Sequence, residues 1–425
     1  MISLFTVPFY KVLFQITQVV VAILTVAYFN QVFHIATSIL LPKKRWKDAE
    51  KKHRYAFVIC AKDEEAVIGE LLDSIKAQDY PGEKLSVFVV ADNCTDATAV
   101  VAAEKGAIVF ERKDTTLKGK GYALDYAFKK IISEYGHLGI EGFFIFDADN
   151  VASKDYVAQM NKLFDCGEDV ITGFRCPKNF SDNWLAGTSG YMFLRESRQI
   201  HFGRSTLGIG TYVSGTGFLV SARRIREAGG WPWTSALIED IEFSAVECTR
   251  GGKIKFCPEA IFYDDQPVRF RDFWSQRLRW AKGNHQVFFY RGANLYRSFL
   301  RKPSLTKWGM MMHITPLPAF SFIWFLLYTV LGLAWAAFNP MPYEVFYSEF
   351  LSYCISNWVY PLIAGYFCAL VLLFQCMPYL DAPKWKQFLY TLLFPFSMYI
   401  FVPITIIALF KKVEWTPIRH NKSGK

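Results

Sequence analysis

Apolar and polar positions along the chain fall into three regimes. From Val12 to Leu41 the residues are apolar almost without a break, and such a run crosses a bilayer once it reaches ~20 residues at a rise of about 1.5 Å each. It has no small-residue cleavage site and outlasts the core of a signal peptide, so a membrane anchor is expected over 1–45. Between Arg54 and Arg291 short runs rich in Val, Ile and Phe alternate with helical patterns. "YAFVICA" precedes "EEAVIGELLDSIKAQ", "KLSVFVVAD" precedes "CTDATAVVAAEKG", "AIVFER" precedes "GYALDYAFKKIISEYG", and "FFIFDAD" follows. Strands alternating with ~12-residue helices predict βαβ units and a mostly parallel sheet covered on both faces, here an α/β domain over 54–291. After an amphipathic segment at 292–311, the region 312–411 holds about three apolar stretches, near Met310–Phe338, Ser352–Met377 and Lys386–Phe410, and 412–425 is a basic tail. Pro395 and Pro403 in the last stretch require neighbouring helices to cover the carbonyls they free.

Charge orients these segments. The cluster "PKKRWKDAEKKHR" follows the first apolar run at once, which by the positive-inside rule places that end in the cytoplasm and the N-terminus outside. One span before the polar middle and three after it would leave the tail outside, yet "KKVEWTPIRHNKSGK" is basic. A cytosolic tail requires that one late segment be re-entrant or interfacial, or that Leu295–Met311 be misassigned. We expect the cytosolic tail, and a multi-pass protein of the cell membrane with a cytoplasmic catalytic domain.

Composition narrows the function classes. Over 425 residues the formal net charge is +10, a balance that suits a membrane surface, an anionic substrate or nucleic acid. No basic arm, zinc-finger or basic-zipper pattern is present, so no nucleic-acid partner is expected. The nine cysteines form no CxxC pair and read as reduced thiols in a cytosolic setting. Aromatic residues in the C-terminal region, Trp324, Trp335, Trp358, Tyr360 and Phe367 among them, read as lipid-facing or as the lining of a glycan path beside His313, Asn357 and Gln375.

In parallel sheets ligands sit at the carboxyl ends of the strands, and there this sequence places acids. Asp63 follows the first strand, Asp92 and Asp96 the second, Asp147 and Asp149 the fourth. Asp63 and Asp96 read first as caps of the following helices. Asp147 and Asp149 do not, because residues i and i+2 leaving a strand point the same way and their charges repel unless a cation bridges them. Mg²⁺ or Mn²⁺ takes one or two carboxylates together with substrate phosphates. Lys118 and Lys120 stand between glycines at a helix start, where backbone and dipole favour an anion. "GIGTYVSGTG", Gly208 to Gly217, fits no dinucleotide fingerprint. Asp240, after Glu239, reads as an N-cap or as a general base. "QRLRW", Gln276 to Trp280, reads either as an interfacial helix with snorkelling arginines or as part of the site.

The ordered set Asp92, Asp147-Ala148-Asp149, Glu239-Asp240 and Gln276-Arg277-Leu278-Arg279-Trp280 resembles the D, DxD, (T)ED, QxxRW motifs of family 2 membrane glycosyltransferases, which include cellulose, chitin, hyaluronan and poly-N-acetylglucosamine synthases. The resemblance covers nearly the whole chain and implies a GT-A (nucleotide-diphospho-sugar transferase) domain inserted between transmembrane helices. It further implies that Glu64 contacts the uracil, Asp92 holds the nucleoside, and Lys120 lies near the nucleotide. Asp149 with Asp147 would bind Mg²⁺ or Mn²⁺, and Asp240 would deprotonate the acceptor. Gln276 and Arg279 would close on the donor and Trp280 on the acceptor, with Gly215, Thr216 and Gly217 along the acceptor path. Asp63 stands where relatives carry Asn, Ile238 replaces the Thr of TED, and the FxVTxK loop of cellulose synthases is absent. The implied activity is inverting transfer from a UDP-sugar, UDP-glucose or UDP-N-acetylglucosamine, to a growing β-linked polysaccharide. That enzyme would be processive, coupled to export, embedded in the lipid bilayer and open to self-association or an accessory subunit. The alternatives are a lipid glycosyltransferase adding one sugar and a scaffold with a degenerate transferase domain.

Overall fold

The computed structural model describes residues 3–44, 46–338 and 350–414; most of the basic tail lies outside them. The strands form where β-branched and aromatic residues can be buried on both faces. β1 (Tyr55–Ala61) is buried along nearly its whole length, and β2 (Leu85–Asp92) becomes so from Phe88 onward. With β3 (Ile108–Arg112), β4 (Gly142–Asp147), β5 (Val151–Ala152), β6 (Val170–Pro177), β7 (Phe218–Ser221) and β8 (Lys255–Asp264) they make one eight-stranded sheet in the order β3-β2-β1-β4-β7-β6-β8-β5. β1 to β4 pair in parallel, as expected. The second half is mixed: β7 runs antiparallel between β4 and β6, and β5 antiparallel to β8. β5 has two residues and β7 four, too short to leave an alternation in the sequence.

Helices cover both faces. On one side α2 (Ile68–Lys76) and α5 (Tyr156–Asp165) bury Leu71, Leu72, Tyr156 and Met160 against Phe57, Phe144 and Phe146. On the other, α4 (Lys120–Glu134), α8 (Ala222–Ala228) and α9 (Glu239–Thr249) pack Phe128, Ile131, Ile225 and Phe243 around Trp231. With α3 (Thr98–Glu104) beside β2 and β3, the carboxyl ends of β1, β2 and β4 stay open as one edge.

A helical layer lies beyond that edge. α6 (Trp184–Arg195) continues through a π-helical turn (Glu196–His201) into α7 (Phe202–Thr206). α10 runs unbroken from Phe270 to Arg301, so the expected boundary at 291 falls inside a helix. The amphipathic segment is the end of α10 plus a separate α11 (Leu305–Ile314), capped by the Ser304 hydroxyl. Thr315 is extended, as a residue before proline prefers, and α12 therefore starts at Leu317 rather than near Met310.

Among the described residues four helices are long and apolar enough to cross a membrane: α1 (Ser3–Leu40), α12 (Leu317–Phe338), α13 (Ser352–Cys376) and α14 (Lys384–Phe410). Three of them meet side by side. Tyr28 lies 3.4 Å from Ser321, Leu13 packs with Tyr328, Phe350 and Cys354, and Gln375 donates to Ser38. The fourth behaves differently. Near its start Lys386 donates to the Ser181 carbonyl (2.8 Å) and Tyr390 covers Gly187, where a Cβ would sit 2.1 Å from the ring. At its end Lys282 donates to the Ala408 carbonyl (3.1 Å), and Ile404 and Ala408 pack on Leu278 and Ala281. A helix of this length spans about 40 Å, yet both ends are fastened to the same α/β domain. α14 packs on α13 as well, where Tyr366 meets Phe396 at 6.0 Å, and we propose that it is the interfacial segment the charge pattern calls for. Protease sites placed after Glu414 and in the exposed turn Gly136–Leu138 are expected to be cut from the same side of sealed vesicles; cutting from opposite sides would mean that α14 crosses.

Candidate active site

Lys120 is where the site is assembled. Gly119, at φ 121°, provides a backbone that a side chain would strain, and α4 begins directly after it. At Gly121 a Cβ would meet the Trp233 carbonyl at 3.0 Å, so the helix start lies close against the "GWPW" turn that leads into α9. The Lys120 ammonium is thereby carried over the end of β4. It pairs with Asp147, donates to the Gly215 carbonyl at 2.7 Å and lies 4.0 Å from Glu239. Burial alone would lower its pKa, but the Asp147 and Glu239 carboxylates outweigh burial and raise it.

A cavity of about 440 Å³ opens around this lysine. Glu64, Asp92, Lys120, Asp147, Asp149, Gly215, Asp240, Gln276, Arg279 and Trp280 all line it, so residues from seven separate stretches of the sequence share one space. Two expected acceptor residues do not. Thr216 is buried, with its hydroxyl against Asn150 and accepting from the Asp147 amide at 2.8 Å. Gly217 lies under the Phe262 ring, where a Cβ would stand 2.2 Å from it. Both belong to the turn that leads into β7, where Gly215 and Gly217 take positive φ.

The acids differ in setting. Asp92 is buried and receives Arg112 at 2.6 Å, yet desolvation outweighs that partner and its pKa is raised. Asp240 is raised by burial, against the backbone amides of Ile241 and Gly215. Glu239 is raised by burial and by Asp240, with Lys120 opposing. On α10, burial lowers the pKa of Arg279, while Glu239, Asp147 and Asp240 act to raise it. Arg277 stacks over the Trp280 ring at 4.5 Å, and Phe193 meets that ring edge-on at 5.7 Å, which fixes the indole at the wall.

Sequence reasoning missed three charged residues at the site, Asp264 and Asp265 on the cavity wall and Arg112 behind Asp92. Arg112 pairs in register with Asp92 across β2 and β3, a juxtaposition that strand alignment predicts once β3 is placed. Asp264 and Asp265 leave β8 as the DxD pair leaves β4, but β8 was not among the expected strands. Asp264 accepts from Arg175 at 2.6 Å and from Asn150 at 2.8 Å, so it braces the DxD turn.

The donor set at Asp147 and Asp149 is all oxygen, faces the cavity and suits a hard divalent ion. A second acidic group, Asp63, Cys94 and Asp96, also comes within ligand distance, but its oxygens are already engaged. Asp63 accepts from the Thr95 amide and hydroxyl and from Lys62, and Asp96 from Thr98 and the Glu65 amide. Asp96 thus steadies the start of α3, whereas Asp63 ties two loops together and caps nothing.

Residues 53–283 match the family model described as "Glycosyltransferase like family 2", more than half of the chain. The chain belongs to that family. Among curated relatives, the family 2 chain is 26% identical over 266 residues to a probable glycosyltransferase, YdaM, of Bacillus subtilis, covering 57% of this chain and 58% of that protein. It is 24% identical over 244 residues to a β-monoglucosyldiacylglycerol synthase of Synechocystis, covering 54% of this chain and 48% of that one. A poly-β-1,6-N-acetyl-D-glucosamine synthase of Staphylococcus aureus is 25% identical over 252 residues, at 58% of each chain. The family 2 chain thus spans about half to three-fifths of the length of the curated relatives it matches. Among solved structures, a mannosyltransferase of Pyrobaculum calidifontis in complex with GDP-Man and Mn²⁺ aligns over 79% of this chain and 96% of its own at 19% identity, with a TM-score of 0.49. The family 2 domain is an α/β domain that lies in the sequence between α1 and the apolar helices α12 to α14.

The Arg112–Asp92 pair has an energetic consequence. Removing one member of a buried pair costs about 3–5 kcal/mol in comparable cases. Arg112→Met is expected to lower the thermal unfolding midpoint in detergent and Arg112→Lys to recover part of it; equal midpoints for all three proteins would assign the pair no structural weight.

Proposed function

We propose that the enzyme transfers a sugar, with inversion, from a UDP-sugar to a hydroxyl presented at the membrane face of its α/β domain. The observation that carries this is the continuity of one cavity: it runs from the acidic strand ends to Asn30, Gln31 and His34 of α1 and to Met398 and Phe401 of α14. Donor and acceptor therefore have separate approaches to one reaction point. Glu64 and Asp92 lie where the nucleoside would bind, with UDP-glucose or UDP-N-acetylglucosamine as donor. Lys120, Gln276 and Arg279 face the diphosphate. Asp147 and Asp149 would hold Mg²⁺ or Mn²⁺, which when bound neutralises developing charge on the diphosphate. Arg279, fixed in a buried wall, contributes the same kind of stabilisation without reorganising. Asp240 takes the acceptor proton as the hydroxyl oxygen attacks the anomeric carbon. The bond to the β-phosphate oxygen breaks on the opposite face, so an α-linked donor yields a β-glycoside.

The acceptor that the helices favour is a lipid hydroxyl in the leaflet next to the domain. α1, α12 and α13 meet through closed contacts, as at Gly332, where a Cβ would stand 2.0 Å from the Phe350 ring. α14 is laid along the domain and also packs on α13, through Tyr366 against Phe396 and through Leu372 and Leu373 against Tyr390 and Phe394, so it closes on the same bundle. The second reading, processive synthesis of a β-linked polysaccharide with export, draws on Trp280, whose indole is held at the cavity wall where a terminal sugar ring could stack. Turnover with a panel of UDP-sugars in nanodiscs, read as UDP release beside product size, separates the two. A small lipid-extractable glycoside supports the first reading and a high-molecular-weight product the second.

Asp240→Asn is expected to lower kcat by 10²- to 10⁴-fold, the usual range for a general base, with donor affinity within about threefold of wild type. Because the Asp240 pKa is raised and the base acts deprotonated, kcat should fall with decreasing pH at a midpoint above the ordinary carboxylate value of about 4. A pH-independent rate down to that value would exclude the assignment. Asp149→Ala should abolish the metal dependence of UDP binding in calorimetry; undiminished metal dependence would place the ion elsewhere.

A further inference from the structure

Buried cations on the donor side of the cavity have acids beside them: Lys120 has Asp147, Arg175 has Asp264, and Arg279 lies within the field of Glu239, Asp147 and Asp240. Arg277 is built differently. It lines the same cavity at 3% exposure, and its two hydrogen-bond acceptors are the Ser189 hydroxyl (3.1 Å) and the Met192 thioether (3.0 Å). Trp280 and Phe273 flank the guanidinium at 4.5 and 5.1 Å. Among the described residues no carboxylate pairs with it; the acid that acts on it, Glu196, is already bound by His201 at 3.2 Å. Burial accordingly pushes the Arg277 pKa down to about 9. Nearby on the cavity wall, Arg195 of α6 donates to the Gln31 amide of α1, again with no acid. His34 of α1, 2% exposed, has no partner for either ring nitrogen. A guanidinium offers five donors in a planar fork, and a hydroxyl and a thioether leave most of them unmet. Burying such a charge without a counter-ion is costly.

We propose that Arg277, with Ser189 and Arg195, receives the phosphate of an anionic phospholipid acceptor at the membrane end of the cavity. The planar fork matches a phosphate oxyanion in bidentate fashion. The donor's diphosphate is the other source of such a group, but Lys120 and Arg279 already face it from the strand ends. A lipid source fits the walls: Arg277 shares this end of the cavity with Met398 and Phe401, and α14 carries exposed Phe388, Leu392 and Phe396 beside them. The inference rests on the lipid-acceptor reading above and adds to it the charge of the acceptor.

The test uses the purified full chain in mixed micelles of a polyoxyethylene detergent, with its active UDP-sugar and either phosphatidylglycerol or diacylglycerol as acceptor. Wild type should favour phosphatidylglycerol by at least about tenfold in kcat/KM. Arg277→Gln should shrink that preference by roughly 10- to 100-fold, the usual worth of a charged hydrogen bond, leave UDP affinity by calorimetry unchanged, and be partly rescued in Arg277→Lys. On wild type alone, dodecyl phosphate should compete with the lipid and not with the UDP-sugar, which keeps the inference testable if the Gln variant fails to fold. Equal losses on both lipids would make Arg277 a positioning residue for Trp280 and overturn the proposal. So would indifference of wild type to the phosphate, or competition of dodecyl phosphate with the UDP-sugar. Polymer without any lipid product would instead overturn the lipid-acceptor reading itself.

Discussion

One buried ammonium holds the site in shape. Several carboxylates converge where β1, β2, β4 and β8 end, and at close range in a partly dry cavity they repel strongly. Lys120 sits among them, paired to Asp147 and near Glu239, and its place is fixed by two glycines that let α4 start against the Trp233 turn. Arg112 and Arg175 repeat the device at Asp92 and Asp264. Asp147, Asp92 and Asp264 are thus each paired with a cation from a different helix or strand. The fold is what brings those neighbours together.

The opposite half of the cavity follows another logic. Its walls come from α1, α6, α10 and α14, and its polar groups are mostly amides, hydroxyls, histidine and arginines, with Glu196 an acid among them. The Trp280 indole, clamped by Arg277 and Phe193, marks the border between the two halves.

Much of this was legible in the sequence, and the reasons for the gaps are physical. β1 to β4 announce themselves because parallel strands buried on both faces read as continuous apolar runs, and the acids following them locate the site edge. β5 and β7 are too short for periodicity to register, so the mixed half of the sheet and the Asp264–Asp265 pair stayed hidden. Arg112 was invisible because its role depends on register across two strands. The resemblance of SGTGF to relatives places Thr216 and Gly217 on the acceptor path, but Thr216 is held by Asn150 and the Asp147 amide and Gly217 is covered by the Phe262 ring, contacts that depend on β4 and β8 and leave no local pattern. The charge conflict in the tail leads to the expectation of one late apolar segment on the domain's side, and composition alone does not say which.

The attachment of α14 also sets a timetable. A ribosome delivers the acid edge, Lys120 and the QRLRW helix long before Ser397, Met398 and Phe401, which complete the cavity wall. Until Tyr390 has settled over Gly187 and Ala408 has reached Lys282, the half-made enzyme has donor-facing charges but an open flank. Nascent chains still being inserted into the bilayer thus lack a closed reaction chamber, and competence arrives only with one of the last helices to be synthesised.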